Sequence, residues 1–410
     1  MGDISRRAVV VAILASAPAA LVACAPRSET AATPRPTATK PAAATASPTA
    51  DPDGPLAAAA YGPTGRHWPS RTPVPGDEFD LLVEAECDWQ EISNAIQYVA
   101  ERTQDGRGCV LVKPGELPGY GAGSSKPPVI HGVGTADRSS RVLVMPRDGA
   151  ASIEITDSIR IDGVTGVSFV GFWLYPGSVV LTSVQDVAWA WSKGRAFNVS
   201  AGSSGPVSDV ELVECVSPEA QLIESDAWAF RTGENEIDGI SVVGCYIAPS
   251  YKPDGSQAHC DSLQLSGNPT QNRISIVDSV IFASTNAAFI PSSNAANVVF
   301  QNSLVVAGDR MLQRYPLPGE ANAFTSGLPT AVNGVGTVGI LSAEGSTFIG
   351  GVRGEWKSVV DSVVSGDAAR VRSASGSFRS DESLSSIDAD WLEARTPMPS
   401  DDRLARIWSV

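Results

Sequence analysis

A short pattern of alternating apolar and polar residues recurs along the middle of the chain. Each copy has a turn residue, then apolar residues at every second position, then a small residue; the copies begin at Val167, Val187, Val210, Ile240, Ile274 and Val298, with a weaker one at Val338. The shortest spacing is about 20 residues, and the longer spacings indicate inserted loops. This periodicity predicts stacked coils of a parallel solenoid in which the apolar positions point inward.

Residues 88–102 carry a different pattern, which predicts a helix. Asp88 is a good N-cap and Glu91 occupies the capping-box position. Apolar residues follow at helical spacing, namely Trp89, Ile92, Ile96 and Val99. A strand, Cys109 to Val112, comes next and ends at Pro114-Gly115. Because a lone helix with one apolar stripe must cover something, we expect it to lie on the first coils.

Together these features resemble the right-handed parallel β-helix (pectate-lyase-like) superfamily. The resemblance implies an all-β fold, with one right-handed parallel β-helix over residues 76–385, an N-terminal capping helix, and a C-terminal capping segment over residues 386–410. A β-sandwich is the alternative, although its strands more often come in hairpins with two-residue turns. The sequence lacks the catalytic motifs of pectate lyases and polygalacturonases, so no catalytic role transfers, and fold alone does not fix function.

The start of the chain resembles a bacterial lipoprotein signal. Arg6-Arg7 precedes an apolar run over 8–23, and Leu21-Val22-Ala23-Cys24 looks like a lipobox. Residues 1–24 are thus expected to be a signal peptide with Cys24 as the lipidated residue, and the paired arginines resemble a twin-arginine export signal. The alternative is a transmembrane anchor, for which the run is short of the ~20 residues required. Residues 25–75, rich in Ala, Pro and Thr, are predicted to be a disordered linker. We therefore expect a lipid-anchored protein on the extracellular face of the cell membrane.

The net charge of the chain limits the classes of molecule that it can bind. Of 410 residues, 45 are acidic and 30 are Lys or Arg, which gives a formal net charge of -15. This balance argues against nucleic acid as a partner, because phosphate binding needs clustered Lys and Arg. Only three histidines are present, which is too few for a histidine-rich metal site. Solenoids of this kind are expected to be monomers.

The cysteines after Cys24 offer two pairs. Cys215 and Cys245 both lie five places after a repeat start, so they would be neighbours in stacked coils, either as a disulfide or as two buried thiols. Ser279 and Ser303 share that register. A disulfide between Cys87 and Cys109, which flank the predicted helix, is an equally open alternative to free thiols, and export permits either bond.

The densest polar cluster lies in one long coil, over residues 251–264. Its His259, Asp261 and Gln264 form a His-x-Asp-x-x-Gln segment, which looks like a motif of β-helix proteins that include polysaccharide-active ones. An imidazole beside a carboxylate is a general acid or base near neutral pH. Aligned coils place Asp226 on one side of Asp261 and Asn286 on the other. Two close carboxylates could bind Ca²⁺, act as the pair of a retaining glycosidase or share a proton. The alternative is a column that only satisfies turn backbone groups.

Candidate substrate-binding residues surround this cluster. Arginine pairs well with a uronate carboxylate, and an indole stacks on a sugar ring. The candidates are Gln264, Lys252, Arg310, Arg314 and Trp191. Trp189 and Trp228 occupy positions of the alternation that point inward, so they are expected in the core. The sequence thus favours a cell-surface lipoprotein that binds a polysaccharide and, if catalytic, cleaves it as a lyase or a glycoside hydrolase. The catalytic candidates are His259, Asp261 and Asp226, and Ca²⁺ is the candidate cofactor. The alternative is a non-catalytic adhesin or structural protein of the cell envelope.

Overall fold

The sequence repeat is the rung of a parallel sheet. The computed structural model describes residues 61–104, 106–121, 126–319, 324 and 327–400. Strands pair in parallel throughout these residues, and the predicted repeat starts are aligned with one another: Val167, Val187, Val210, Ile240, Ile274 and Val298. Since each strand pairs with its equivalent in the next coil, the chain winds as a parallel β-helix. The predicted all-β parallel fold is confirmed.

Each coil has up to three strands, which stack into three faces. Face 1 contains Leu81–Ala85, Gly108–Val112, Val142–Pro146, Thr165–Val170, Gln185–Ala190, Val207–Val213, Ile237–Val243, Gln271–Val277, Ala295–Gln301 and Arg372–Ser373. Face 2 contains Val216–Ser217, Tyr246–Ile247, Val280–Phe282, Leu304–Val306, Thr347–Ile349, Val363–Val364 and Arg379–Ser380. Face 3 contains Ile130–His131, Ile159–Asp162, Ser178–Thr182, Ala196–Ala201, Trp228–Thr232, Asp261–Ser266 and Ala287–Ile290.

Two long strands and a few short elements complete the fold. Thr330–Glu344 and Val352–Val360 each begin on face 3 and continue onto face 1. Two further short pairs join Gln221–Leu222 to Ser250–Tyr251, and Gly115–Leu117 to Ile153–Ile155. The helical elements are Trp89–Arg102, Ala389–Arg395 and four 3₁₀ turns, at Ala150–Ser152, Arg310–Gln313, Ala368–Arg370 and Glu382–Ser386. Within the described residues, no helix combines the length and the apolar character that crossing a bilayer requires.

Side-chain alternation builds the core as the sequence predicts. The apolar residue at each repeat start and the one two places later are buried, and Phe169 packs on Trp189 in the next coil with ring centroids 5.3 Å apart. The exception is the weak copy at Val338, which is 70% exposed. Val298 pairs instead with Leu341, three residues later in the long strand.

The N-terminal helix forms as predicted, over Trp89–Arg102. Its N-cap Asp88 accepts hydrogen bonds from the backbone N–H groups of Gln90 and Glu91, and its apolar stripe packs on the first two strands of face 1. Its C-terminal end is held by Arg138, a 2% exposed guanidinium that donates to backbone carbonyls of that last turn. A cation at this end also interacts favourably with the helix dipole.

The turn from face 1 to face 2 repeats one backbone conformation in eight coils. A left-handed residue, with φ between 43° and 79°, ends each face 1 strand: Gly171, Trp191, Glu214, Gly244, Asp278, Asn302, Gly345 and Asp361. From Glu214 onward, a small residue follows each of them: Cys215, Cys245, Ser279, Ser303, Ser346 and Ser362. The backbone N–H of each small residue but the last donates to the side chain of the next. This ladder satisfies buried backbone groups that the turn would leave unpaired.

All five cysteines in the described residues are free thiols, so neither candidate disulfide is present. Cys215 and Cys245 are neighbours as predicted, but their thiols donate to the carbonyls of Trp189 and Leu212 in the ladder. Cys87 is partly buried: it packs against the inner core and lies beside Gly115. Cys109 points outward, into an apolar cluster on face 1 that excludes Cys87. The opposite orientations explain why this second pair does not bond.

Residues 61–72 form an ordered strap across the coils, which we call the N-terminal strap. The N–H of Gly62 donates to the carbonyl of Asp278, whereas Thr72 reaches Ser168 on a much earlier coil. The strap therefore runs opposite to the direction in which the coils wind. The predicted linker boundary at residue 75 is wrong for this part, because the strap is fixed by side chains of several coils. Residues 1–60, with the predicted signal and most of the predicted linker, lie outside the described residues.

The described part of the predicted C-terminal cap does not sit on the last coil. It runs back along face 2, where Arg314 forms an ion pair with Glu393 at 3.2 Å and Met398 lies against the hydroxyl of Tyr246. Tyr246 belongs to a coil in the middle of the β-helix, so this segment covers the side of the β-helix and not its end. The rest of the predicted C-terminal cap, residues 401–410, lies outside the described residues.

Candidate functional site

A column of polar side chains lies where the chain enters face 3. The N–H of Asp261 donates to Oδ1 of Asp226 at 3.0 Å, and the amide of Asn286 donates to Oδ1 of Asp261 at 2.6 Å. The three predicted neighbours are therefore in contact on three successive coils. The strand register differs by one residue from the expected one, since Asp261 pairs with Ala287. Asn286 still reaches Asp261, because it lies at the turn just before its strand.

His259 is the exposed member of this cluster. Its Nδ1 lies 3.0 Å from Oδ2 of Asp261; the histidine side chain is 56% exposed, whereas the Asp261 side chain is fully buried. The contact with the Asp261 carboxylate raises the pKa of His259 above its ordinary value, against the smaller opposing effect of desolvation. This is a histidine oriented by a buried acid with its other ring edge toward solvent, as proton transfer requires.

Asp226 is a buried carboxylate beside an exposed arginine. Its side chain is 6% exposed, and Arg231 approaches its Oδ2 at 3.2 Å. Burial raises the pKa of Asp226, and this outweighs the hydrogen bond from the Asp261 N–H and the charge of Arg231, which both lower it. The arginine itself remains 55% exposed and can bind an external anion.

The two carboxylates do not fit a Ca²⁺ site. Asp226 meets the Asp261 N–H with one oxygen and Arg231 with the other. Asp261 meets Asn286 with one oxygen and His259 with the other. Three of the four oxygens accept hydrogen bonds, and the fourth, Oδ2 of Asp261, has no hydrogen-bond partner but lies beside the His259 ring. One unpaired oxygen does not make the set of oxygen ligands that a hard cation needs. No group of three or more metal-ligating side chains occurs within the described ranges either.

The outward side of face 3 forms a groove beside the cluster, which we call the face 3 groove. Gln264 lies on it, half-buried between inward Leu263 and Leu265 as predicted. Two rows of outward side chains run along the coil axis: Arg160, Val180, Asn198, Ala229 and Gln264 in one, and Asp162, Thr182, Ser200, Arg231 and Ser266 in the other. A cavity of about 400 Å³ opens in this groove, lined by residues that include Arg160, Asp162, Asn198, Ala229 and Arg231.

Three of the predicted substrate-binding residues lie elsewhere. Trp191 donates its indole N–H to the carbonyl of His67 and packs edge-on against Trp68, so the N-terminal strap covers it. Arg314 is 7% exposed and holds the C-terminal segment on face 2. Arg310 lines a separate cavity of about 350 Å³, together with Thr330 and Arg353, at a later corner of the β-helix.

Lys252 lies in the loop that precedes His259. Its backbone N–H donates to Thr285, and its charge lowers the pKa of His259 as a minor effect. Its charge therefore lies near the imidazole of His259. The loop does not cover the histidine, which remains open to solvent.

The structure adds residues that sequence reasoning missed. Arg160 and Asp162 lie on the face 3 groove, although their strand, Ile159–Asp162, lies outside the recognised repeats. The alternation Ile-Arg-Ile-Asp is the signal that could have placed Arg160 outward. His67 is a second missed residue: it lies between Glu214 at 2.5 Å and Asp278 at 2.9 Å. No periodicity marks the strap, so nothing in the sequence links these three.

Comparison with known proteins identifies no family. No protein-family model matches the chain, and no curated protein matches it. Among solved structures, it is similar to the A-module of the mannuronan C-5 epimerase AlgE6 from Azotobacter vinelandii, with 13% identity over 71% of this chain and 92% of that chain, at a TM-score of 0.21. The parallel β-helix of the present chain is established by its own strand registers.

Proposed function

We propose that this protein binds an extracellular polysaccharide along the face 3 groove and cleaves it by proton transfer through His259. The observation that carries the proposal is the exposed imidazole of His259, held 3.0 Å from the buried carboxylate of Asp261 at the edge of the groove. A solvated histidine with a buried orienting acid is the arrangement of a general base. A purely structural column would need no exposed imidazole.

Cations beside His259 favour an acidic sugar. Arg231 is exposed in the groove, and Lys252 lies near the imidazole. On a chain with a formal net charge of -15, two cations at this edge provide a local binding point for a carboxylate. Arginine can hold it by paired hydrogen bonds. We infer that the reacting unit is a uronate.

The arrangement supports a β-elimination. His259 Nε2 removes the proton α to the uronate carboxylate, and the electron pair of that C–H bond forms a carbon–carbon double bond. The glycosidic C–O bond breaks with its electrons, and the leaving oxygen takes a proton from solvent or from the histidine. Arg231 stabilises the charge that develops on the carboxylate. Asp261 is a positioning residue that orients the imidazole.

A glycoside hydrolase mechanism is less well supported. It requires two carboxyl groups that reach the sugar, one of them protonated. Asp226 and Asp261 are 6% and 0% exposed at their side chains, and each already contacts protein donors or cations. Neither presents an oxygen to the groove, so the lyase reaction is the preferred proposal.

The pH dependence of turnover tests the role of His259. As a base the imidazole must be neutral, and Asp261 raises its pKa above the usual 6.5. We therefore expect turnover to rise with pH through a midpoint above 6.5. The Asp261→Asn variant removes the carboxylate charge, so its midpoint should fall toward 6.5. A midpoint that is identical in both proteins would contradict the assignment of His259 and Asp261 as a pair.

We further propose that the protein is exported and anchored in the cell membrane by a lipid on Cys24. The support is the lipobox-like Leu21-Val22-Ala23-Cys24. The strap begins near the late coils, where the hydroxyl of Tyr61 is 3.3 Å from that of Thr347, so the tether would join the β-helix there.

Replacing Cys24 with serine tests the anchor. We expect Cys24→Ser to move the protein from the membrane fraction to the soluble exported fraction, because the thioether that carries the lipid cannot form. Fractionation with labelled palmitate measures both location and acylation. A Cys24→Ser protein that stays in the membrane fraction would indicate the alternative, an uncleaved transmembrane anchor.

A further inference from the structure

The cavity in the face 3 groove contains two buried polar atoms without partners. Asp162 is 5% exposed; its Oδ2 lies 3.7 Å from Nη1 of Arg160 and accepts from the Ser204 hydroxyl at 3.4 Å, whereas its Oδ1 has no hydrogen-bond partner among the described residues. The Nε of Arg160, at the same end of the cavity, is also buried and unpaired there. Leaving such atoms unsatisfied destabilises the fold, and more so when the group is charged. Unpaired buried groups that line one cavity indicate a ligand that supplies both a donor and an acceptor.

The chemistry of this pair specifies neutral hydroxyl groups. A hydroxyl donates to Asp162 Oδ1, and the same or an adjacent hydroxyl accepts from Arg160 Nε. A ligand carboxylate could accept from Arg160 but would be repelled by the Asp162 carboxylate. The other walls alternate between polar side chains, such as Asn198, and small apolar ones, such as Ala229. Such walls suit a sugar ring, which has polar edges and apolar C–H faces. The cavity, at about 400 Å³, is within the range of small-molecule sites.

The cavity adjoins the cluster that contains His259. Arg231 lines its far wall and approaches Asp226 at 3.2 Å, and Asp226 accepts from the N–H of Asp261. Four steps of the face 3 ladder separate the strand of Asp162 from that of Asp261. At ~4.8 Å per step this spans ~19 Å along the coil axis. A polymer lying along the groove can therefore occupy both places.

We propose that this cavity is a subsite for a neutral sugar, bound through vicinal hydroxyls by Asp162 and Arg160. The inference rests on the proposed function in taking the face 3 groove as the polysaccharide-binding surface. It specifies the substrate further: a heteropolysaccharide that places a neutral unit in the cavity and a uronate at His259.

Titration with methyl glycosides tests the subsite. The probes are the methyl glycosides of glucose, galactose and mannose, and those of glucuronic and galacturonic acid, with dissociation constants measured by NMR. We expect at least one neutral glycoside to bind, and Asp162→Asn to weaken that binding at least tenfold. Ala229→Leu, which fills the cavity without touching the charged pair, should weaken it similarly. Binding of the uronic glycosides, which the proposed function assigns to Arg231, should not weaken in Asp162→Asn. The control Asp238→Asn, in an exposed ion pair with Arg273, should leave binding unchanged.

The outcomes separate the two proposals. Neutral-glycoside binding that persists in Ala229→Leu or in Asp162→Asn overturns the neutral subsite alone. If binding depends on Asp162 but no polysaccharide is converted, the subsite is supported and the lyase proposal fails. Absence of binding by every probe and every polysaccharide overturns both.

Discussion

The His259→Ala variant should lose turnover of the polysaccharide by about 10²–10⁴-fold, the usual contribution of a general base. Its side chain is mostly exposed, so folding should be unaffected. Asp261→Asn should lower turnover less, because the imidazole remains but loses the charge that orients it. Kinetic assays with both variants, accompanied by circular dichroism, measure the effect.

Two controls make this result specific. His131→Ala removes another exposed histidine of face 3, in the strand Ile130–His131, and should leave turnover unchanged. His259→Ala should still bind the polysaccharide, since Arg231 and the Asp162 cavity are intact. Unchanged turnover in His259→Ala would remove the site and leave the adhesin alternative, in which the polar column only supports the coils.

The Glu214→Ala variant should destabilise the fold by about 3–5 kcal/mol, as expected when one partner of a buried ion pair is removed. Glu214 is fully buried and contacts both the ring of His67 and the N–H of Gly65. Gly244 leaves room for that ring, since a Cβ there would lie 2.4 Å from Nδ1 of His67. Chemical denaturation measures the loss, and the control Arg273→Ala, from exposed ion pairs, should cost less than about 1 kcal/mol. We call the contact of His67 with Glu214 and Asp278 the buried clasp. Equal losses of stability in the two variants would contradict its stabilising role.

The same clasp predicts how stability depends on pH. Burial alone would lower the pKa of His67, but hydrogen bonds to Asp278 and Glu214, together with their charges, raise it to about 10. The raised pKa means that the stabilisation is complete below pH 6.5, the ordinary value, and is lost as the pH rises toward 10. Asp278 has a lowered pKa because of His67, so its contribution is lost instead as the pH falls below 3.8.

The sequence predicts the coils well because their signal is local. Apolar and polar residues alternate with period two in each coil. In a strand such as Val207–Val213, this local alternation alone shows that Val210 and Leu212 point inward. Aligning the rungs then brings Asp226 next to Asp261, which the structure confirms. Register becomes uncertain only where a loop changes length, as it does before Ala287 and before Leu341.

The strap and the C-terminal segment could not be predicted in this way. The alternation correctly predicts that the side chain of Trp191 points outward. Whether that side chain is exposed depends on Trp68, which covers it through a tertiary contact between segments more than 120 residues apart. Arg314 is likewise a residue type that suits a sugar-binding groove, but its side chain is buried against Glu393. Neither partner repeats along the chain, so no periodicity reveals it.

Mass spectrometry of the reaction products shows whether His259 catalyses a β-elimination. The purified protein is incubated with uronate-containing heteropolysaccharides that a glycan array shows to bind. A β-elimination through His259 yields oligosaccharides with an unsaturated terminal uronate, lighter by one water than hydrolysis products, and His259→Ala should form none. Hydrolysis products, or unsaturated products formed equally by His259→Ala, would contradict it.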